Sequence, residues 1–174
     1  MFELWIPLND IPADGRDFSF SDQLVWRDRW KDFGLRVSPG RDLVATVRIQ
    51  PQGDQAALVR GRLAGSVTVP CDRCAAEFEC VIDTEFDLFE ELPKDSEDEG
   101  EEARVRLAGE IAELDMAAIL WEEFVLALPM KPLCSKDCKG LCPGCGADLN
   151  KGECICDREE GDPRLAVFRN MKIK

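Results

Sequence analysis

The sequence predicts an α+β fold: an antiparallel sheet around a long β-hairpin, helices packed on it, and a small cysteine-stapled unit at the C-terminus. Three observations carry this. Two runs of alternating apolar residues, 56–69 and 78–88, flank a Cys71-Asp72-Arg73-Cys74 turn. Two stretches, 21–33 and 115–128, have apolar residues at helical spacing. Six of the nine cysteines follow residue 133, where apolar side chains are scarce.

Taken in order, Phe2, Leu4, Ile6 and Leu8 alternate with other residues and predict an opening strand with one buried face. A helix is expected from Ser21 to Phe33. Ser21 can cap it, Trp26, Trp30 and Phe33 share a face, and Gly34 can end it. Arg27, Arg29 and Lys31 lie among those aromatics. A basic, aromatic helix can meet RNA, but Trp and Phe at this spacing usually form a core stripe, and that reading is preferred. Leu43–Ile49 and Ala56–Val69 read as strands joined by the turn-prone Pro51-Gln52-Gly53-Asp54. Val59, Leu63, Val67 and Val69 fall on one parity. Beyond the cysteine turn, Phe78, Cys80, Ile82, Phe86 and Leu88 resume the alternation, which makes a hairpin with two cysteines at its tip.

The next segment, Glu90–Glu102, holds eight acids and one lysine and reads as a solvated loop rather than a nucleic-acid mimic. A short strand at Val105 and Leu107 leads to a helix from Asp115 to Leu128. Asp115 caps it, Met116, Ile119, Leu120, Phe124 and Leu128 form its apolar stripe, and Pro129 and Pro132 stop it. A last helix begins at Asp162-Pro163, with Leu165, Phe168 and Met171 on its apolar side. Its cations, Arg164, Arg169, Lys172 and Lys174, suit the negative end of the helix dipole. The expected division is residues 1–130 as an α+β core bearing the hairpin-tip pair, and 131–174 as a cysteine-rich unit with the basic terminal helix.

An apolar fraction of 45% over 174 residues is enough for a core. The net charge of −13 argues against an overall basic coat for nucleic acid, though not against a local basic patch. Histidine is absent, which removes the commonest general base and the commonest neutral metal ligand. The opening MFELWIPLNDIPADG lacks the basic flank and apolar run of a signal peptide, and Met116–Trp121 is too short to cross a bilayer. A chain of this kind is expected in the reducing cytoplasm, where paired cysteines read as metal ligands before disulfides.

Cys142-Pro143-Gly144-Cys145-Gly146 is the strongest local signal. Two thiolates two residues apart can grip one tetrahedral ion, and the glycines let backbone N–H groups approach the sulfurs. Zinc needs four ligands, and without histidine they are cysteines, with or without a carboxylate. The preferred grouping joins Cys71 and Cys74 with Cys134 and Cys138, and Cys142 and Cys145 with Cys154 and Cys156, for two structural zinc ions. The alternative gives one zinc to Cys134, Cys138, Cys142 and Cys145. Cys80 is left over and reads as a small buried hydrophobe. Iron would also accept four thiolates. A redox role for Cys71 and Cys74 is weaker, because that chemistry favours a strand-to-helix junction and this pair lies between strands. Leu133, Leu141, Leu149 and Ile155 are too few to offset the entropy of ordering residues 133–157, so this zinc-stapled unit is expected to need metal to fold. Lys131, Lys136, Lys139 and Lys151 stand nearby, either offsetting thiolate charge or forming a basic patch.

Several of these motifs together resemble the YceD family, the large ribosomal RNA subunit accumulation proteins. They are the Val-Pro-Cys-Asp-Arg-Cys hairpin tip, the Leu126–Pro129 helix exit, the Cys138–Asn150 run and the closing Asp162–Ala166. The resemblance is good over residues 40–172 and loose before them. It implies a bacterial-type protein needed for accumulation of large-subunit ribosomal RNA, associated with ribosome biogenesis and without established catalytic residues. Some members of the family keep the first cysteine pair and lack the later Cys-Pro-x-Cys-Gly element, a pattern compatible with two separable sites, the second one accessory.

The preferred function is therefore a non-catalytic ribosome-biogenesis factor whose partner is ribosomal RNA or a ribosomal protein of the large subunit. The alternative is a zinc-dependent protein-interaction module unrelated to ribosome assembly. No small-molecule substrate and no membrane are expected. An enzyme is disfavoured by the missing histidine, the lack of a Gly-rich phosphate loop and the closed cysteine sets. Glu122 and Glu123 read as the solvated side of their helix rather than a catalytic pair.

Overall fold

The computed structural model of the protein describes residues 4–93, 103–152, 154 and 156. In chain order its elements are β1 (Trp5–Pro7), a 3-10 turn (Leu8–Asp10), β2 (Arg16–Phe20), α1 (Leu24–Asp32) and β3 (Ser38–Pro39). There follow β4 (Val44–Pro51), β5 (Ala56–Pro70), β6 (Glu77–Glu91), β7 (Val105–Ala108), β8 (Ile111–Asp115) and α2 (Met116–Ala127). The α+β expectation holds, and every strand pairing is antiparallel.

The long hairpin is the spine. β5 and β6 pair from Ala56 opposite Glu91 to Pro70 opposite Glu77 without a bulge. On the other edge of β5, β4 covers residues 57–64 and the short β3 covers Val67 and Thr68, while β2 extends the sheet beyond β4. A second sheet has the order β1-β8-β7. Because side chains alternate across a strand, the parity read from the sequence decides what is buried. Val59, Leu63 and Val67 are fully buried from β5, and Ile82 and Phe86 join them from β6. Cys80 lies in this same core, as expected of a small hydrophobe, and burial pushes its thiol pKa up.

α2 closes the core. Asp115 accepts a hydrogen bond from the Ala118 N–H at 3.0 Å, and Leu128 turns extended before Pro129. Met116, Ile119, Leu120 and Phe124 are fully buried, and Trp26 and Trp30 of α1 lean on the Phe124 ring at 5.9 and 5.8 Å.

Four local readings need correction. Ser21 does not cap α1; the Leu24 N–H is bonded by Asp22, and Gln23 is spent on the backbone of Leu43 through both its amide atoms. Phe33 does not join the core stripe, since it lies past the last helical turn, 61% exposed, stacked on Trp121. Glu122 and Glu123 are not a solvated pair: Glu122 is half-buried against Arg104, and Glu123 is buried. Burial raises the Glu123 carboxyl pKa, and the nearby Arg104 charge opposes the shift. Local pattern also misses β2 and β8. β2 is short and half polar, and the Ala112-Glu113-Leu114 of β8 reads locally as helix. Phe2, most of the acidic segment and the helix expected from Asp162 lie outside the described residues.

Candidate metal centres

At the hairpin tip, residues 71–76 make a tight turn. The Cys71 N–H bonds to Ala76 O at 2.9 Å, and the Ala75 N–H bonds back to Cys71 O at 2.9 Å. Closing that loop puts Ala75 at φ 57, a left-handed conformation that costs a non-glycine residue about 1–2 kcal/mol. Its result is that Cys71 and Cys74 face one point, with the Arg73 N–H 3.4 Å from the Cys71 sulfur.

Residues 142–147 repeat the same turn in a different setting. The Cys142 N–H bonds to Ala147 O at 2.8 Å and the Gly146 N–H to Cys142 O at 2.9 Å. Here glycine occupies the left-handed position, at φ 74. Two copies of one cysteine turn therefore exist, the first at the end of a sheet and the second on a loop.

The chain after α2 folds back over the tip. The Asp72 N–H bonds to Pro132 O at 2.9 Å, the Leu141 N–H to Arg73 O at 3.1 Å, and the Arg73 guanidinium donates to Cys138 O at 2.9 Å. These contacts bring Cys134 and Cys138 to Cys71 and Cys74. The sulfur separations are 3.8 Å for Cys71–Cys138 and 3.7 Å for Cys74–Cys134. The second turn gathers Cys154 and Cys156, with Cys142–Cys156 at 3.5 Å and Cys145–Cys154 at 3.2 Å. In each group the four sulfurs lie within 4.8 Å of one another, and no cysteine is in a disulfide. Two four-sulfur groups that could hold metal ions thus correspond to the preferred grouping. The alternative set of Cys134, Cys138, Cys142 and Cys145 is divided between them.

A tetrahedral ion with Zn–S bonds of about 2.3 Å sets its sulfurs about 3.8 Å apart. The tip group has that spacing. The second is tighter, down to 2.9 Å between Cys154 and Cys156. Burial differs too: Cys71, Cys74 and Cys138 are buried beside Phe78 and Leu133, whereas of the second group only Cys142 is buried.

The electrostatics of the two groups run in parallel. The backbone N–H of Cys134, then those of Arg73 and Cys74, hold the Cys71 thiol down to about 6 against the opposing effect of burial. The N–H groups of Cys145 and Gly144 do the same for Cys142, also to about 6. Next to these thiolates, Cys134 and Cys156 are pushed up to about 12, chiefly by Cys138 and Cys154 respectively. Four thiolates this close would repel one another, a conflict that a bound cation would remove.

Three outer residues escape a reading of the sequence. Arg73 braces the Cys138 carbonyl. Asn150 accepts from the Lys139 N–H at 2.8 Å and donates toward the Cys138 sulfur at 3.5 Å, and Asp148 fixes the Asn150 amide at 2.7 Å. The Asp148-Leu149-Asn150 spacing, which suits a side-chain-to-backbone turn, is the available signal. Lys131, Lys136, Lys139 and Lys151 are all exposed, and Lys151 pairs with Asp148 at 3.6 Å. No helix among the described residues is long and apolar enough to cross a membrane.

The chain is similar to an Arabidopsis thaliana protein, "Large ribosomal RNA subunit accumulation protein YCED homolog 1, chloroplastic", at 32% identity over 71 residues, 41% of this chain and 22% of that one. It is similar to uncharacterized proteins of Mycobacterium tuberculosis and Mycobacterium bovis at 32% identity over 139 residues, 79% of this chain and 65% of theirs. The chain thus spans less than two thirds of the length of each. No solved structure matches it. The family described as "Large ribosomal RNA subunit accumulation protein YceD" matches residues 59–172, a stretch that contains both four-sulfur groups. The chain belongs to the YceD family.

Proposed function

We propose that this protein is a non-catalytic ribosome-biogenesis factor that supports accumulation of large-subunit ribosomal RNA and is held in shape by two structural zinc ions. The observation that carries the metal assignment is the gathering of eight thiols into two four-sulfur groups. Cys71, Cys74, Cys134 and Cys138 hold one ion; Cys142, Cys145, Cys154 and Cys156 hold the other. Sulfurs within 4.8 Å of one another leave room for a single ion and not for a cluster of several irons. Sets closed by four thiolates leave no position for a substrate, which supports a structural role. The family name supplies the link to ribosomal RNA. On this reading the protein works in the cytoplasm, on ribosomal RNA or a ribosomal protein of the large subunit. Residues 1–130 are the α+β core that bears the hairpin-tip pair, and residues 131–174 are the zinc-dependent unit.

The test is the ratio of large- to small-subunit ribosomal RNA in cells lacking the protein. The ratio is expected to fall, to recover with the wild-type chain and not to recover with Cys71→Ser. An unchanged ratio would reject the ribosomal reading in favour of a zinc-dependent interaction module.

A further inference from the structure

The outward face of the large sheet is rich in arginine and yet electrically quiet. Arg48 pairs with Asp17 at 3.0 Å, Arg60 with Asp87 at 2.9 Å, Arg62 with Asp83 at 2.7 Å, and Arg41 with Glu79 at 3.1 Å. Each cation there already has its anion, as expected in a chain with 35 acids and 22 bases.

The cations of α1 and of the turn after it differ from those of the sheet. Arg27 and Lys31 stand one turn apart on its exposed side, Arg36 follows the helix, and none of the three has an ion-pair partner among the described residues. The acids of the helix, Asp28 and Asp32, are displaced from them by one residue, about 100° around the axis. They therefore make a separate stripe, and they do not line the hollow beside Arg27 and Lys31.

That hollow follows from how the helix ends. The Gly34 N–H bonds to Lys31 O at 3.1 Å and the Leu35 N–H to Trp30 O at 2.9 Å, with Gly34 at φ 61. This paired closure satisfies the last carbonyls and turns the chain back beside α1. A depression of about 360 Å³ opens between Arg27, Lys31, Trp30, Leu35 and Val37. Val37 also walls a second depression of about 190 Å³, which Arg36 shares with Val69, Pro70 and Pro132 and in which Asp72 is the acid. The two depressions adjoin at Val37, the first beside α1 and the second beside Pro70 and Asp72 at the hairpin tip. Phe33, the residue before Gly34, is exposed and lies on Trp121 with ring centres 5.1 Å apart.

We infer that these adjoining depressions form one groove that binds single-stranded RNA. Arg27, Lys31 and Arg36 take successive phosphates, and the Phe33–Trp121 stack offers a face to a base. Cations along a groove beside an exposed aromatic are what sequence-tolerant single-strand binding requires. An acidic peptide would use the cations and leave the exposed ring without a purpose. The inference rests on the ribosomal reading and names the partner as RNA.

The test uses the full metal-loaded chain and a fluorescein-labelled single-stranded RNA of about 12 nucleotides, followed by anisotropy across a salt series. The triple variant Arg27→Gln/Lys31→Gln/Arg36→Gln is expected to bind at least about tenfold more weakly and to flatten the log–log salt slope by about 2, at about 0.7 for each phosphate no longer neutralised. Phe33→Ala is expected to weaken binding about fivefold or more. Arg48→Gln/Arg60→Gln, on the paired face, should leave binding unchanged. The proposal is overturned if the triple variant binds like wild type, if the paired-face variant loses as much, or if polyglutamate displaces the RNA at equal charge. Gradient sedimentation separates the two levels of the argument. If wild type cosediments with large-subunit precursors and the triple variant does so undiminished, the RNA groove fails and the ribosomal reading stands. If wild type itself binds no precursor, the ribosomal reading fails.

Discussion

The two cysteine tetrads share a turn and differ in what holds it. The tip turn, Cys71–Ala76, caps strands of fifteen residues paired along their whole length, and it tolerates alanine in a left-handed conformation. The loop turn, Cys142–Ala147, has a single bridge, Leu141 to Asp148, behind it and uses glycine at the matching position. One site is thus imposed by the sheet, and the other depends on its own ligands. Preorganisation by a sheet lets a ligand set survive strain that an isolated loop has to avoid.

Substituting ligands should break the symmetry most strongly. Cys138→Ser removes a buried sulfur at the junction of tip and tail. It is expected to cost several kcal/mol of global stability, as thermal denaturation would register, and to release residues 131–152. Cys145→Ser, at an exposed ligand, should leave the main melting transition almost in place. It should raise hydrogen exchange only around residues 141–152. Equal losses from the two variants would mean that the tetrads fold as one unit.

Metal removal sharpens the same contrast. A competing chelator is expected to strip the second site first, since three of its sulfurs are half-buried or exposed, with the tip ion leaving at least about tenfold more slowly. Time-resolved chelation with a colorimetric zinc indicator should give two phases, and Cys145→Ser should abolish the fast one.

The turns themselves offer a smaller effect. Gly146→Ala forces a side chain to φ 74 where its Cβ would touch nothing, so the cost of about 1–2 kcal/mol is purely conformational. Ala75→Gly relieves the same strain at the tip and should stabilise by about 0.5–1 kcal/mol. Opposite signs in chemical denaturation would verify that the turns are equivalent.

Glu123 gives the smallest and most local change. Its carboxyl pKa is raised by burial, so the folded state holds the proton more tightly than the unfolded chain does. Stability is therefore lost as pH rises from the unfolded carboxylate value through the folded one. Glu123→Gln should stabilise at pH 7 by on the order of 1 kcal/mol or less and change little at pH 4, checked by denaturation at both pH values.

Much of this is legible in the sequence for a physical reason. Parity along 56–69 and 78–88 reports which face is buried, because a strand side chain has only two faces to choose between. Helical stripes report Trp26 and Phe124 in the same way. Within-pair cysteine spacing is also local and readable. Joining Cys71 and Cys74 to Cys134 and Cys138 across sixty residues depends on the path of the chain after α2, so both groupings stay open until that path is known. The same limit applies to Asn150, whose contact with the Cys138 sulfur crosses from one tetrad to the other. Phe33 fails as a core residue because helical spacing does not say where the helix stops.

The account depends on sulfur holding a cation in two places, and intact mass under non-denaturing, reducing conditions tests that directly. Two zinc ions per chain, dropping to one in Cys145→Ser, is the predicted result. A metal-free chain whose eight thiols react freely while residues 131–152 stay ordered would contradict it.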